Sequence, residues 1–117
     1  MSERIEALPT KYNGVEYRSR TEARWAVFFD SLNITHRYED RLLDLSDGSK
    51  YLPDFYLDEF DAFLEVKPNS DQIVTNECIK ARQLANDVKN EKTKVWLATG
   101  APSTQTPNII PLSDWKL

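Results

Sequence analysis

The stretch YLPDFYLDEFDAFLEVKP, residues 51–68, places three charged residues, Asp54, Glu65 and Lys67, in a strongly apolar background. Aromatic and branched residues of this kind favour the half-buried surface of a β-sheet. The acidic run at 58–61 predicts a turn, so the stretch is expected to form a strand, a turn and a second strand. What the charges do depends on how the two strands pair.

Successive side chains of a strand point to opposite faces, so Glu65 and Lys67 share one face and Val66 points to the other. A tight turn at Glu59-Phe60 predicts a register that keeps one face of the hairpin apolar, whereas a slip by one residue breaks that face. The apolar face then comprises Phe55, Leu57, Leu64 and Val66, and the predicted opposite pairs are Phe55 with Leu64, Leu57 with Ala62, and Asp54 with Glu65.

This register brings two carboxylates together, Asp54 and Glu65, and like charges directly opposite each other destabilise a sheet. Lys67 compensates part of the repulsion. Carboxylates that converge in this way are also the ligands that Mg²⁺ or Mn²⁺ prefers. The alternative interpretation is an ordinary ion pair between Glu65 and Lys67 on the sheet surface.

A third acid, Glu22, belongs to the first predicted helix. On a helical wheel Glu22 falls on the same stripe as Trp25, Ala26 and Phe29, so it faces the protein. A helix packed over the charged face of the sheet would deliver Glu22 to the two carboxylates of the hairpin. Alternatively, Ser19 and Glu22 form a capping box in which the glutamate only returns to the backbone at the helix start. The sequence leaves both interpretations open.

The remaining segments predict the order α-β-β-β-α-β and an α/β (α+β) fold, a small mixed sheet flanked by helices. Residues 101–117 have no firm assignment, and Trp115 is open to a role in the core, an interface or docking. The predicted elements are a helix from Ser19 to Asn33 with Trp25, Phe28, Phe29 and Leu32 on its stripe, a hairpin of strands at 35–45 and 50–57, a strand at 62–68, a helix from Asp71 to Asn90 with Val74, Cys78, Ala81, Ala85 and Val88 inside, and a strand at 93–100.

The bulk properties are those of one globular domain of 117 residues, 1–117. No apolar run is long enough for a bilayer and no signal-peptide pattern is present, so we expect a cytoplasmic protein that does not enter the membrane. Cys78 is the only cysteine and His36 the only histidine, which excludes a disulfide framework and leaves a zinc site or a histidine-based hydrolase without support.

The net charge of −4 is unevenly distributed. Acidic residues outnumber basic ones in 36–61, whereas basic residues outnumber acidic ones in 11–24 and 77–94. This pattern permits binding to a nucleic acid, and it is equally that of a solvated helix surface.

The chain resembles the PD-(D/E)XK nuclease superfamily. The resemblance is carried by Pro53-Asp54, by Glu65-Val66-Lys67 eleven positions after the aspartate, by Glu22 on the first helix, and by the order of the elements. It covers about residues 14–100 and implies a restriction-endonuclease-like core. The compact layout is most similar to phage endonuclease I-type junction resolvases and to the endonuclease subunits of heteromeric transposases.

The resemblance implies a divalent-metal-dependent DNA endonuclease that acts on branched or otherwise structured DNA. Asp54 and Glu65 would bind Mg²⁺ or Mn²⁺ together with the main-chain carbonyl of Val66, and Glu22 would contact the metal directly or through water. Lys67 would hold the attacking water or the scissile phosphate. If the protein is phage-encoded, it would act in the cytoplasm of a bacterial host.

Several basic and polar residues are further candidates for contact with nucleic acid: Arg18, Arg20 and Arg24 near the first helix, and Lys80 and Gln83 on the second. A solvated helix surface is the alternative for the last two, because Asp87 stands where relatives with a Gln-x-x-x-Tyr signature carry the tyrosine. A homodimer would let two sites cut both strands of a two-fold substrate. The alternative function is a nuclease-fold module that binds nucleic acid or protein with little turnover.

Overall fold

The computed structural model describes residues 8–68, 75–103, 105 and 108–112. Within these ranges the chain forms two α-helices, a short 3-10 turn and nine strands. The bounds are β1 Thr10–Tyr12, β2 Val15–Tyr17, α1 Arg20–Ser31, β3 His36–Tyr38, β4 Leu43–Asp44, β5 Lys50–Tyr51, β6 Phe55–Leu57, the 3-10 turn Asp58–Phe60, β7 Ala62–Lys67, α2 Asn76–Asp87, β8 Lys94–Thr99 and β9 Ile109–Pro111.

A five-stranded mixed sheet, in the order β3-β6-β7-β8-β9, forms the centre of the fold. Neighbours are antiparallel except β7 and β8, which run parallel and are connected through α2. A parallel pair needs a crossover of this kind, because its second strand must start at the same end as the first. The predicted mixed α+β class with helices on the sheet is therefore confirmed.

The predicted register of β6 on β7 is confirmed, with Phe55 opposite Leu64 and Leu57 opposite Ala62. The 3-10 turn that joins the strands ends at Asp61, whose φ of 49° lets the chain reverse. All four of these paired side chains are at most 1% exposed. Burial on this scale fixes the register, because a slip by one residue would turn the apolar side chains to the other face.

The two faces of the sheet carry two separate cores. The α1-side core joins Trp25, Ala26 and Phe29 to the apolar face of β6 and β7. The α2-side core joins the buried face of α2 to Phe63, Val95 and Leu97 on the opposite face of the sheet. The expectation that α1 covers the face carrying Glu65 is therefore wrong, because its aromatic stripe packs on the apolar face.

Helix α1 begins after Ser19, whose hydroxyl accepts the backbone N–H of Glu22 at 3.1 Å. It ends at Ser31, two residues earlier than predicted, because Asn33 takes a left-handed conformation with φ 57°. Leu32 was expected on the buried stripe but is 53% exposed, since it lies at the C-cap.

Helix α2 begins at Asn76 behind the cap residue Thr75, later than the predicted start at Asp71, and ends at Asp87. The predicted helical positions 71–74, which include Val74, lie outside the described residues. The remaining stripe is confirmed, with Cys78, Ala81 and Ala85 buried. Cys78 packs as a small apolar side chain, as expected.

The hairpin predicted at 35–45 and 50–57 forms, but each of its long strands is divided in two. β3 pairs with β6 in the central sheet, while β4 pairs with β5 in a separate ribbon. The division falls at Glu39, with φ 48°, and at Pro53, which has no N–H for a ladder. The hairpin formed by β4 and β5, residues 43–51, thus leaves the sheet and approaches α2.

A second hairpin, β1–β2, was not anticipated. Its turn is Asn13-Gly14, with φ of 51° and 82°, and two left-handed residues are what a two-residue hairpin turn requires. The Asn-Gly pair was visible in the sequence as a signal for this turn. Late in the chain, Ile109–Pro111 adds the edge strand β9, and Trp115 lies outside the described residues.

Among the described residues, no helix has the length and apolar character needed to cross a membrane.

The register can be tested by truncating one leucine of the sheet. Leu64 is fully buried in the α1-side core, so Leu64→Ala should lower the free energy of unfolding by about 2–5 kcal/mol. The matched control is Leu32→Ala at the exposed end of α1, which should change it by about 0.5 kcal/mol or less. Urea denaturation followed by circular dichroism measures both, and equal losses would contradict the assigned core.

Candidate metal and phosphate site

An open cleft of about 830 Å³ lies where the N-terminal ends of both helices approach the ends of β6 and β7. We call it the acidic cleft, because Asp54 and Glu65 line its floor and Glu22 its α1 side. These three carboxylates are 8%, 2% and 8% exposed, respectively. Buried acids are rare unless they are paired or bind a cation, so their partners determine the chemistry of the site.

Asp54 is fixed by the main chain around it. Its Oδ2 accepts the backbone N–H of Val66 at 2.8 Å, and its own carbonyl accepts the N–H of Glu39 at 2.9 Å. Because an N–H of a strand lies in the plane of the sheet, the Asp54 carboxylate occupies the end of the sheet rather than one of its faces.

The main-chain carbonyl of Val66 is directed to the same place. In a strand the N–H and C=O of one residue point to the same neighbour, and the Val66 N–H points to Asp54. If the pairing of β6 with β7 continued backwards from Phe55 to Pro53, Pro53 would lie opposite the carbonyl of Val66. Proline has no N–H to donate, so Pro53 could not satisfy this carbonyl, which makes the carbonyl a candidate metal ligand.

Glu65 is held through both of its oxygens. The hydroxyl of Tyr51 donates to Oε1 at 2.5 Å, and Nζ of Lys67 lies 3.2 Å from Oε2. Asp54 and Glu65 both line the floor of the acidic cleft, and the charge of Glu65 acts on the Asp54 carboxyl. The ladder of β6 and β7 stops at the pair Phe55 and Leu64, so the predicted direct opposition of Asp54 and Glu65 is not part of the ladder.

Lys67 connects the floor of the cleft to α2. Its Nζ also lies 3.4 Å from Oε1 of Glu77, and its side chain is 13% exposed. Its carbonyl accepts the N–H of Gly100 at 2.7 Å, which anchors the end of β7. Burial opposes the charge of Lys67, but the carboxylates of Glu65, Glu77 and Asp54 outweigh it and raise the pKa of this amine. Lys67 is thus a cation at neutral pH.

The carboxylates of the floor are electrostatically strained. Burial, followed by the charges of Glu65 and Glu22, raises the pKa of Asp54 well above its usual range. Burial also raises the pKa of Glu65, although Lys67 and the Tyr51 hydrogen bond oppose the change. A proton on the pair relieves the repulsion, and a bound cation would relieve it as well.

Ser19 caps α1 by accepting the N–H of Glu22, but the side chain of Glu22 does not take the capping-box role. Its carboxylate accepts the hydroxyl of Tyr38 at 2.5 Å and lines the cleft. That hydroxyl in turn accepts the backbone N–H of Arg18 at 3.0 Å. Burial raises the pKa of Glu22, and its charge acts on Asp54. Glu22 reaches the cleft past the end of the sheet, on the α1 side.

The described residues contain no group of three or more aspartate, glutamate, histidine or cysteine side chains placed to hold a metal ion together. The candidate donors are therefore the pair Asp54 and Glu65 with the Val66 carbonyl, and Glu22 lies on the α1 side, bonded to Tyr38. Mg²⁺ commonly binds to one or two carboxylates and completes its shell with water and substrate phosphate, so this smaller set fits such an ion.

Basic side chains surround the mouth of the cleft. Arg18, Arg20 and Arg24 are exposed beside the start of α1, and Arg18 pairs with Glu39 at 2.9 Å. Lys50 and Lys80 line the opposite side. We call these five residues the cationic rim. The rim lies above an acidic floor, which is the charge order expected of a site that binds a polyanion through a divalent cation.

The two candidate residues on α2, Lys80 and Gln83, lie in different surroundings. Lys80 lines the cleft, and its Nζ donates to the carbonyl of Lys50 at 2.7 Å. Gln83 lies outside the cleft lining and donates to Ser46 at 2.8 Å and to Asp87 at 2.9 Å. Gln83 therefore holds the β4–β5 hairpin against α2 and is not brought to the acidic floor.

Three residues of the site were not anticipated, namely Tyr51, Tyr38 and Glu77. Simple alternation would place Tyr51 on the same face as Phe55, away from Glu65. The chain departs from regular strand geometry at Leu52-Pro53, and Tyr51 instead packs in the α2-side core. Only the proximity of these residues to the motif was visible in the sequence.

His36 has a structural role. Its Nε2 lies 2.8 Å from Oδ1 of Asp30, and its ring contacts Phe29 and Phe55. Tyr12 donates to the same aspartate at 2.7 Å, which connects the β1–β2 hairpin to α1. This cluster does not line the acidic cleft.

Comparisons of the chain with protein-family models, with curated proteins and with solved structures found no match.

The strain on the carboxylates predicts a stabilising substitution. Asp54→Asn keeps an oxygen for the Val66 N–H and removes one negative charge. In EDTA at about pH 8 it should raise the free energy of unfolding by about 1 kcal/mol, measured by urea denaturation. The control is Asp58→Asn, because the hydrogen bond from Arg37 lowers the pKa of Asp58 and its charge is favourable. A loss of stability in Asp54→Asn would contradict the crowded pair.

The same strain predicts the direction of the pH dependence. Glu22, Asp54 and Glu65 all have a raised pKa in the folded protein, so the folded state binds more protons than the unfolded chain above about pH 4. Without metal, stability should therefore fall as the pH rises from about 5 to about 8. The free energy of unfolding should fall less steeply with pH in Asp54→Asn than in the native protein. Parallel curves for the two proteins would contradict the assignment.

Proposed function

We propose that the protein is a divalent-metal-dependent endonuclease that hydrolyses phosphodiester bonds in DNA, with a restriction-endonuclease-like core. The observation that carries the proposal is the floor of the acidic cleft, which is lined by two buried carboxylates, Asp54 and Glu65, with the ammonium of Lys67 beside Glu65. This combination follows from the motif that the sequence shares with PD-(D/E)XK nucleases. The order of α1, the three strands around β7, α2 and β8 is compatible with that family.

Asp54, Glu65 and the Val66 carbonyl would hold Mg²⁺ or Mn²⁺. When bound, the ion would polarise the phosphate and lower the pKa of a coordinated water. Glu22 would bind a water of the shell, because its carboxylate is already engaged by Tyr38. The oxygen-only donor set favours a hard cation over zinc.

Lys67 would orient the reacting groups. Since it stays protonated, it cannot accept a proton from water, and its role is to donate hydrogen bonds to the attacking water or to a nonbridging phosphate oxygen. Attack by the water oxygen would form a bond to phosphorus and break the bond between phosphorus and the 3′ oxygen. The proton lost by the water would pass to solvent and the departing 3′ oxygen would take up a proton from solvent, which leaves a 5′-phosphate and a 3′-hydroxyl. The fixed positive charge meets the negative charge that grows on the phosphate during this step.

The substrate we propose is branched or otherwise structured DNA, and a homodimer would present two cleft sites to a two-fold substrate. The cationic rim supports a polyanionic substrate despite the net charge of −4. Phosphate contacts supply most of the affinity of a protein for nucleic acid and are independent of sequence.

A second candidate function is binding without turnover. It is favoured by the position of Lys67, which is engaged by Glu65 and Glu77 together. The positive charge of Lys67 is compensated by these two carboxylates, which weakens its attraction for a phosphate although one of its three N–H donors remains free among the described residues. The chain would then bind nucleic acid or a partner protein through the cationic rim.

A cleavage assay distinguishes the two functions. The protein is incubated with linear, supercoiled and four-way-junction DNA in Mg²⁺, Mn²⁺ or EDTA. We expect cleavage in both metals and none in EDTA. Asp54→Asn, Glu65→Gln and Lys67→Met should each reduce the rate by at least about 10²-fold, because each removes a group that acts on the transition state.

The control for the assay is Lys94→Met, because Lys94 donates to the carbonyl of Phe60 away from the cleft. It should retain the native rate. Binding of DNA with no cleavage in any metal would support the binding module, whereas cleavage that persists in Lys67→Met and Asp54→Asn would refute the proposed site.

The rim predicts which arginines bind phosphate. Arg20 and Arg24 make no ion pair within the described part of the chain, while Arg37 is engaged by Asp58 at 2.9 Å. In Ca²⁺, with DNA binding measured against salt concentration, Arg20→Ala and Arg24→Ala should each reduce the slope of log K against log salt by about 1. Arg37→Ala is the control and should leave the slope unchanged. Unaltered slopes in the first two variants would exclude them from the DNA contact.

A further inference from the structure

We propose that Tyr51 is a positioning residue for Glu65, and that α2 sets its position through the β4–β5 hairpin. The proposal rests on the metal-binding role given above to Glu65. It goes further by assigning a role to a tyrosine and a hairpin outside the shared motif.

The hydroxyl of Tyr51 is a fixed donor. It lies 2.5 Å from Oε1 of Glu65, and the whole residue is 3% exposed. Its ring packs in the α2-side core with Phe63 and Cys78. A buried ring has few rotamers available, so the hydroxyl cannot leave the carboxylate without disturbing the core.

This contact defines the free side of the Glu65 carboxylate. An ionised carboxylate offers about four lone-pair sites, two on each oxygen. Tyr51 occupies one on Oε1 and Lys67 occupies one on Oε2. Each oxygen keeps one site, and the group is held in a single orientation beside Asp54. Partners that orient a ligating carboxylate in this way tune the affinity for the metal.

The position of Tyr51 depends in turn on α2. The hydroxyl and N–H of Ser46 donate to Asp87 at 2.7 and 2.9 Å, and Gln83 donates to Ser46 at 2.8 Å. At the other end of the hairpin, Lys80 donates to the carbonyl of Lys50 at 2.7 Å. These bonds fix both ends of the hairpin that carries Tyr51, and they give Lys80, Gln83 and Asp87 of α2 a structural role.

A purely structural role is the alternative, in which Tyr51 only satisfies a buried carboxylate. The two roles differ in one measurable quantity. A structural hydroxyl affects the stability of the fold, whereas a positioning hydroxyl also affects the affinity of the folded protein for metal. The test must therefore read metal binding directly, in protein shown to be folded.

The experiment uses Tyr51→Phe, which removes the hydroxyl and keeps the ring. Free Mn²⁺ is measured by electron paramagnetic resonance during titration of the protein without DNA, and kcat and KM are measured with cleavable DNA in saturating Mn²⁺. We expect a Kd for Mn²⁺ about 10–100-fold higher than native and a lower kcat, with KM for DNA unchanged within about twofold.

Tyr56→Phe is the matched control, because its hydroxyl donates to Asp61 at 2.9 Å and lies outside the cleft lining. It should bind Mn²⁺ as the native protein does. Asp87→Asn, which weakens the bonds to the hairpin, should raise the Kd in the same direction as Tyr51→Phe and by a smaller factor.

Native Mn²⁺ affinity in folded Tyr51→Phe would overturn the proposal, as would a native protein that binds no Mn²⁺. A failure of the proposed nuclease function gives a different experimental result. If the native protein binds Mn²⁺, Tyr51→Phe weakens that binding and neither cleaves any DNA, the positioning role stands and the nuclease activity falls.

Discussion

The pairing of β6 with β7 is the constraint on which the rest of the structure depends. Its apolar face is covered by α1, and that burial allows only one register. In that register β6 begins at Phe55, and just before it the carboxylate of Asp54, rather than a strand carbonyl, accepts the N–H of Val66. The acidic cleft therefore lies where the pairing of β6 with β7 stops, and the same apolar contacts that stabilise the fold bring Asp54 and Glu65 to its floor.

The features that the sequence predicts well are those with a strict period. The alternation along 62–67 and the apolar stripe of α1 are patterns among neighbouring residues of the chain. Burial of Phe55, Leu57 and Leu64 then selects a single register for β6 on β7. The pair Asp54 and Glu65 follows from that register without knowledge of the remaining fold. The Asn13-Gly14 hairpin was equally local and could have been predicted from its turn residues.

The features that the sequence does not predict arise where regular geometry stops. Alternation through 50–57 assigns Tyr51 to the face of Phe55, yet the break at Leu52-Pro53 rotates it to the opposite core. The prediction that α1 covers the face carrying Glu65 is also wrong. Glu22 reaches the cleft from beyond the strand ends, although α1 packs on the apolar face. Such placements depend on tertiary contacts, and no period in the chain encodes them.

The charge arrangement is also compatible with the polyanionic substrate proposed for this acidic protein. Elsewhere many carboxylates are matched locally, as Asp58 is by Arg37 and Asp87 is by Ser46. In the cleft the ammonium of Lys67 faces three carboxylates, those of Glu65, Glu77 and Asp54. Excess buried negative charge costs stability, and in the proposed function a bound cation would offset that cost. Under that proposal a phosphate would be held through the cation, so the net charge of the chain would matter less than the order of charges from floor to rim.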